Sequence, residues 1–161
     1  MREARDPAGA VSTSIQLEEA RVALERTLFI VKPDAVERKL IGKIVAHVEG
    51  QGFRLVEARL GRISREEAET FYAEHAAKPF FRDLVSYMTS GPVMLTCLER
   101  EGAVAFLREV VGATDPAQAA PGTIRKLYGE SKQMNSVHAS DSLASADREL
   151  KIFFGVAAPA R

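Results

Sequence analysis

"NSVHASDSLASADRELKIFF", residues 135–154, carries a strand end, a junction and a helix in one short run. Val137 reads as the end of a buried strand. Asp141 and Ser142 are residue types that cap helix N-termini. Leu143, Ala146, Leu150 and Phe153 then recur at helical spacing, which predicts an amphipathic last helix. Between the two elements stands His138, one of only three histidines in the chain. A histidine at a strand-to-helix junction is held by rigid neighbours and can still face a cleft.

Read outward from this junction, the chain alternates strand and helix signals. "RTLFIVK" (26–32) ends in an apolar run and reads as a central strand, stopped by Pro33, which has no N–H to give the ladder. Leu40, Ile41, Ile44, Val45 and Val48 trace one helical stripe up to Gly50 and Gly52. "FRLVEARLGRI" (53–63) reads as a half-buried strand with Val56, Ala58 and Leu60 on its inner face. Ser64 with Glu67 is a capping-box signature opening a helix to about Ala76, and Pro79 to Gly91 bounds a second. "PVMLTCLE" (92–99) is a third strand and "GAVAFLREVVG" (102–112) a helix. Residues 113–133 form a long Pro/Gly/Ala-rich loop, and "MNSVHAS" (134–140) is the fourth strand. This order predicts an α+β, ferredoxin-like βαββαβ domain, a four-stranded antiparallel sheet covered by helices over one face.

Residues 1–24 differ from the rest. "RDPAGAVSTS" lacks large apolar residues except Val11, so 1–24 read as a flexible extension and 25–161 as the folded domain. A short helix with Leu17, Arg21 and Leu24 on one face is the alternative within that segment.

The 161 residues suit one domain; 46% are hydrophobic and 27% charged, as in ordinary globular chains. Twenty-two basic residues balance 22 acidic ones, so no global field favours nucleic acid or an anionic membrane. The single Cys97 excludes an internal disulfide and cysteine-based zinc sites, and reads as a buried structural thiol. No signal peptide or membrane-span pattern occurs, which predicts a cytoplasmic protein.

Neither of the usual phosphate-cradling glycine loops is present. Isolated cations stand at element ends instead: Lys32, Arg108 and Arg125, with Thr114 as a hydroxyl donor. The segments "FIVKPDAVERKLIGKI", "KPFFRDLVSYMTSGPV", "GATDPAQAAPGTIR" and "NSVHASDS" follow one another in the order and spacing of the nucleoside diphosphate kinase family, which the chain resembles over about residues 25–155.

The resemblance implies a ferredoxin-like fold and a specific chemistry. A γ-phosphoryl group would pass from a nucleoside triphosphate, chiefly ATP, to a nucleoside diphosphate in two half-reactions, maintaining NTP and dNTP pools. His138 matches the nucleophile that becomes phosphohistidine, and Glu149 the carboxylate that orients its ring. Ser140 matches a residue near that carboxylate. Tyr72 matches a tyrosine beside the histidine. Lys32 matches the contact to ribose and to the transferring phosphoryl, with Asn135 its ribose partner. Arg108, Thr114 and Arg125 match the phosphate clamp, and Phe80 the ring that stacks on the base. Mg²⁺ would arrive on the nucleotide phosphates, with no protein metal cage. His47 and His75 read as ordinary helix residues.

Three positions depart from the family pattern. Ala139 stands where glycine is commoner, Met134 where arginine usually makes a structural ion pair, and Lys132 where an apolar residue often closes the base clamp. The family assembles as dimers that combine into tetramers or hexamers, and Pro116 matches a proline in the assembly loop. The short tail after Phe154 favours the tetramer.

Overall fold

The computed structural model describes residues 23–155. Strand β1 (Leu24–Val31) runs into a short helix α1 (Pro33–Glu37) and then α2 (Ile41–Gly50). Strand β2 (Arg54–Gly61) follows, then α3 (Arg65–Phe71), a 3₁₀ turn (Ala73–His75) and α4 (Phe81–Met88). Strand β3 (Val93–Glu101) leads to α5 (Ala103–Val111), a 3₁₀ turn (Pro116–Gln118), α6 (Ile124–Tyr128), β4 (Val137–Ala139) and α7 (Leu143–Phe154). The strands order β2-β3-β1-β4 and every pair is antiparallel, which is the ferredoxin-like arrangement. Leu24 is the first residue of β1 and not part of a helical face; residues 1–22, where the rest of that alternative falls, lie outside the described residues.

The helices cover both faces of the sheet, not one. Phe29 and Val31 pack with Ile44 and Val48 of α2 and Leu107 of α5. Leu28 and Ile30 point the other way, onto Phe71 of α3, Val85 and Met88 of α4, and Leu150 of α7. Alternation along a strand sends successive side chains to opposite faces, so a strand covered on both must be apolar throughout. That is why "LFIV" is unbroken: all four side chains are fully buried. Each contributes roughly 1.5–3 kcal/mol of transfer free energy.

β2 does not have the buried inner face that its alternation predicts. It is an edge strand with an irregularity between Leu55 and Glu57, where Val56 is left without a partner on β3. Val56 packs on the core, whereas Ala58 and Leu60 are exposed, Leu60 to 57%. An extra residue in a ladder turns the strand relative to its neighbour, which breaks the inward set.

Local signals act as the residue types dictate. Ser64 Oγ accepts the Glu67 N–H at 3.0 Å and Glu67 Oε1 accepts the Ser64 N–H at 2.9 Å, a complete capping box. The helix it opens ends at Phe71 and gives way to the 3₁₀ turn before Ala76. The long segment after α5 is ordered by α6 and its own 3₁₀ turn. Gly112 terminates α5 at φ +89°, and a Cβ there would lie 2.6 Å from Thr123 Oγ1, so no other residue fits. Cys97 is buried, and burial pushes its thiol up to about 11.

Candidate active site

Period-two alternation decides where His138 points. Val137 and Ala139, its neighbours on β4, both enter the α2–α5 core. His138 therefore faces the opposite side, where the Phe71 ring meets it edge-on at 4.8 Å and α7 passes alongside. Its side chain remains 26% exposed while Glu149 is buried. Nε2 lies 2.5 Å from Glu149 Oε1, and the same oxygen accepts the Ser140 hydroxyl at 3.3 Å. A carboxylate on Nε2 puts the ring proton there and leaves a lone pair on Nδ1, which has no hydrogen-bond partner among the described residues.

A cavity of about 230 Å³ opens in front of this ring, lined by His138, Glu149, Tyr72, Arg108, Thr114 and Arg125. Burial raises the Tyr72 hydroxyl pKa, and the Glu149 charge raises it further, so Tyr72 is a neutral donor. Arg108 donates to the Ala139 carbonyl at 3.2 Å from α5. Arg125 is 5% exposed; it donates to the carbonyls of Gly112 at 3.1 Å and Val137 at 2.9 Å, and its buried Nε has no acceptor among the described residues. Burial pushes its guanidinium down to about 10, and the neighbouring Arg108 charge adds to the shift. No carboxylate lies within ion-pair distance of either arginine among the described residues. Two adjacent cations that no carboxylate pairs directly among the described residues, with Asp141 lowered in part by the Arg108 charge across the same cavity, make a local anion site in a chain of zero net charge.

Lys32 and Asn135 come together beside that cavity. Lys32 Nζ donates to Asn135 Oδ1 at 2.8 Å and to the Gln133 carbonyl at 2.9 Å. Asn135 Nδ2 donates in turn to the carbonyls of Thr114 and Lys132, both at 3.0 Å. Burial pushes the Lys32 ammonium down to about 8, with Asp34 raising it and Arg125 lowering it. Phe80 stands further out, 46% exposed, with its ring 5.7 Å from that of His75.

His75 is more than an ordinary helix residue. It sits in the 3₁₀ turn, lines the same cavity as His138, and lies between the rings of Tyr72 and Phe80. His47 is far from this wall, on α2, beside a separate shallow cavity. Sequence reasoning took Asp141 only as a helix-cap residue type and passed over Arg148 and Glu74, all three of which line the cavity, and Asp34 and Tyr87 behind Lys32. Arg148 stands next to Glu149 in the helical run, the one signal that pointed to it.

The three departures from the family pattern are local. Ala139 is 1% exposed and its methyl joins the α2–α5 core. Met134 is 43% exposed, and its backbone carries the local structure, accepting from the N–H of Glu130 at 2.8 Å. Near it, Arg38 pairs with Glu130 at 3.3 Å and donates to the Tyr128 carbonyl, so an ion pair tethers this loop from a different residue. Lys132 is exposed and contributes its carbonyl to Asn135.

The nucleoside diphosphate kinase family model matches residues 25–158. A nucleoside diphosphate kinase of Rhodospirillum centenum is 56% identical over 133 residues, 83% of this chain and 95% of that one. The Aquifex aeolicus nucleoside diphosphate kinase superposes with a TM-score of 0.80 at 44% identity, covering 82% of this chain and 96% of its own. A Halobacterium salinarum nucleoside diphosphate kinase, solved in complex with CDP, gives 0.79 at 46% identity, covering 81% and 87%. With 56% identity to such an enzyme over 133 matched residues and the same fold throughout the matched region, this chain belongs to the nucleoside diphosphate kinase family.

Proposed function

We propose that this chain carries out the family's phosphoryl transfer through Nδ1 of His138. The observation that carries the reading is the Nε2 contact to buried Glu149, which leaves Nδ1 as the nitrogen with a free lone pair on the cavity wall. In the first half-reaction, Nδ1 attacks the γ-phosphorus of a nucleoside triphosphate. The bond to the bridging oxygen breaks and the diphosphate leaves. In the second, a nucleoside diphosphate oxygen attacks the phosphohistidine, and the neutral imidazole is restored. Arg108, Arg125 and Lys32 stabilise the equatorial oxygens of a loose transition state, and Thr114 and Tyr72 add hydroxyl donors. The acceptor class is supported by the CDP complex of the Halobacterium salinarum relative.

Glu149 orients the ring and is not itself the nucleophile. Glu149→Gln should slow phosphorylation by about a hundredfold without abolishing it, because an amide can still dock Nε2 but no longer stabilises a charged ring. Quench-flow with labelled ATP measures this. A variant as inert as one lacking the histidine would show that Glu149 takes part in the bond changes.

Mg²⁺ supplies charge neutralisation on the phosphates when bound. No group of three metal-binding side chains occurs among the described residues. Asp141 lines the cavity, its carboxyl held below the usual range by the Ser145 hydroxyl, and is the side chain placed to face such an ion.

Base selectivity should be weak. The exposed Phe80 ring offers a face to stack on, and a face reads no hydrogen-bond edge. The kcat/KM values for purine and pyrimidine diphosphates should lie within about 10–200-fold of one another. A spread beyond about a thousandfold would reveal an edge-reading group.

Residues 1–24 are proposed as dispensable, and the assembly as a homotetramer in the cytoplasm. The exposed edge strand β2, with Leu55 and Leu60 open, supports self-association. No helix among the described residues is long and apolar enough to cross a membrane. A chain lacking residues 1–24 should keep turnover within about threefold and still sediment as a tetramer, since no proposed site residue precedes Lys32. A hexamer, or a large loss of turnover with assembly intact, would contradict this.

A further inference from the structure

Behind Lys32 lies a buried carboxylate that the phosphoryl-transfer scheme does not use. Asp34, in the first turn of α1, is 7% exposed. Its Oδ1 accepts the Tyr87 hydroxyl proton from α4, and the same hydroxyl oxygen accepts the Asp34 N–H at 3.3 Å. Its Oδ2 accepts the N–H of Ser136 at 3.1 Å. Ser136 is fully buried and has φ +75°, a left-handed backbone that a serine rarely adopts. Its hydroxyl has no partner among the described residues, so the side chain does not hold it in that conformation. The backbone does: Ser136 gives its N–H to Asp34, and its carbonyl accepts the Lys32 N–H at 2.9 Å. The left-handed turn separates Asn135, which holds Lys32 Nζ, from the strand that carries His138.

We infer that Asp34, clamped by Tyr87, is a positioning residue for phosphoryl transfer: it fixes the left-handed Ser136 that aligns Asn135 with His138, and it is the counter-charge of Lys32. A strained backbone residue persists only where its surroundings hold it, and here one carboxylate supplies the hold on the N–H side. The groups acting on Lys32 are Asp34 from α1, Arg125 from α6 and the Tyr87 ring, whose centroid is 5.4 Å from Nζ. Burial and Arg125 both push its ammonium down, to about 8, and Asp34 alone opposes them. Without that charge the ammonium would titrate lower still.

The inference rests on the assignment of Lys32 as the phosphoryl contact, and the experiment separates the two. Full-length wild type, Asp34→Asn, Tyr87→Phe and Lys32→Met are compared by pH profiles of kcat and KM, and by ¹³Cε NMR titration of Lys32. Asp34→Asn should lower the Lys32 midpoint and the alkaline limb of kcat by about 1 pH unit. It should cut kcat at neutral pH by about tenfold to a hundredfold while moving KM much less. Tyr87→Phe keeps the charge but frees the carboxylate, so kcat should fall severalfold at every pH with the Lys32 midpoint unmoved. An Asp34→Asn protein with an unshifted midpoint and a loss uniform in pH, or with no loss, overturns the inference. If that variant does not fold, full turnover of Tyr87→Phe overturns it instead. Should Lys32→Met retain wild-type turnover, the Lys32 assignment itself fails; should it be inert while Asp34→Asn is silent, only the role of Asp34 fails.

Discussion

His138→Ala should lose both phosphorylation and transfer, with turnover falling by about ten-thousand-fold or more. The loss is this large because no second group can replace the proposed nucleophile. Glu149 is buried and committed to the ring, Tyr72 is held neutral, and the Ser140 hydroxyl is bonded to Glu149. Alanine fits the space without new strain, since Ala139 already occupies the next position of β4 and the histidine side chain is partly exposed. Incubation with γ-labelled ATP and Mg²⁺, without acceptor, should label the wild type and not the variant. The label should survive alkali, be lost in acid and discharge on adding any nucleoside diphosphate. An alkali-stable label on the His138→Ala protein would move the nucleophile elsewhere.

Arg125→Ala should lower kcat/KM by about a hundredfold to a thousandfold, the scale of removing one preorganised donor from a developing charge. The guanidinium is locked by two carbonyls, those of Gly112 and Val137, and so reaches the cavity with little reorganisation. Its loss also leaves both carbonyls without that donor, at a cost of about 1–3 kcal/mol for each one left unpaired. Thermal melting run beside the kinetics separates the two effects. Arg125→Lys should recover part of the charge but little of the geometry, because an ammonium cannot reproduce a planar fork. Activity within tenfold of wild type in a folded Arg125→Ala protein would remove this residue from the phosphate clamp.

The two residues differ in how visible they were. The junction that holds His138 could be read, because Val137, Ser142 and the spacing of Leu143, Ala146, Leu150 and Phe153 are local signals, while the role of the histidine came from the order of the motifs. Ser142 indeed caps α7, accepting the Ser145 N–H at 3.0 Å. Arg125 taken alone looked like any loop cation. Only the motif order singled it out, and only the fold brings it under β4. The edge strand β2 marks the opposite case: its alternation was plain, yet the break at Val56 and the open edge leave Ala58 and Leu60 exposed.

His75, Asp34 and Tyr87 had no local signature because their significance is a matter of distance. Asp34 and Ser136 are 102 positions apart in the chain and share a hydrogen bond. Tyr87 reaches the same carboxylate from a third element, and no periodicity encodes such a meeting. Positive φ at Ser136 is invisible for the same reason, since serine is not a residue that announces a left-handed turn.

By itself the sequence determined the order of the main elements, the caps that start them and the family, while the cover on both faces of the sheet came from the structure. The elements and caps rest on short-range sterics, hydrogen-bond capping and the period of apolar residues, all of which act within a few positions. Tertiary structure alone decided which face of β4 carries the histidine's partner and which ring nitrogen Glu149 takes. It also decided that two arginines share a wall with no carboxylate at ion-pair distance of either among the described residues, and that Asp34 stands behind Lys32. Those are properties of charges and rings a few ångströms apart in space, and distance in space is what folding sets.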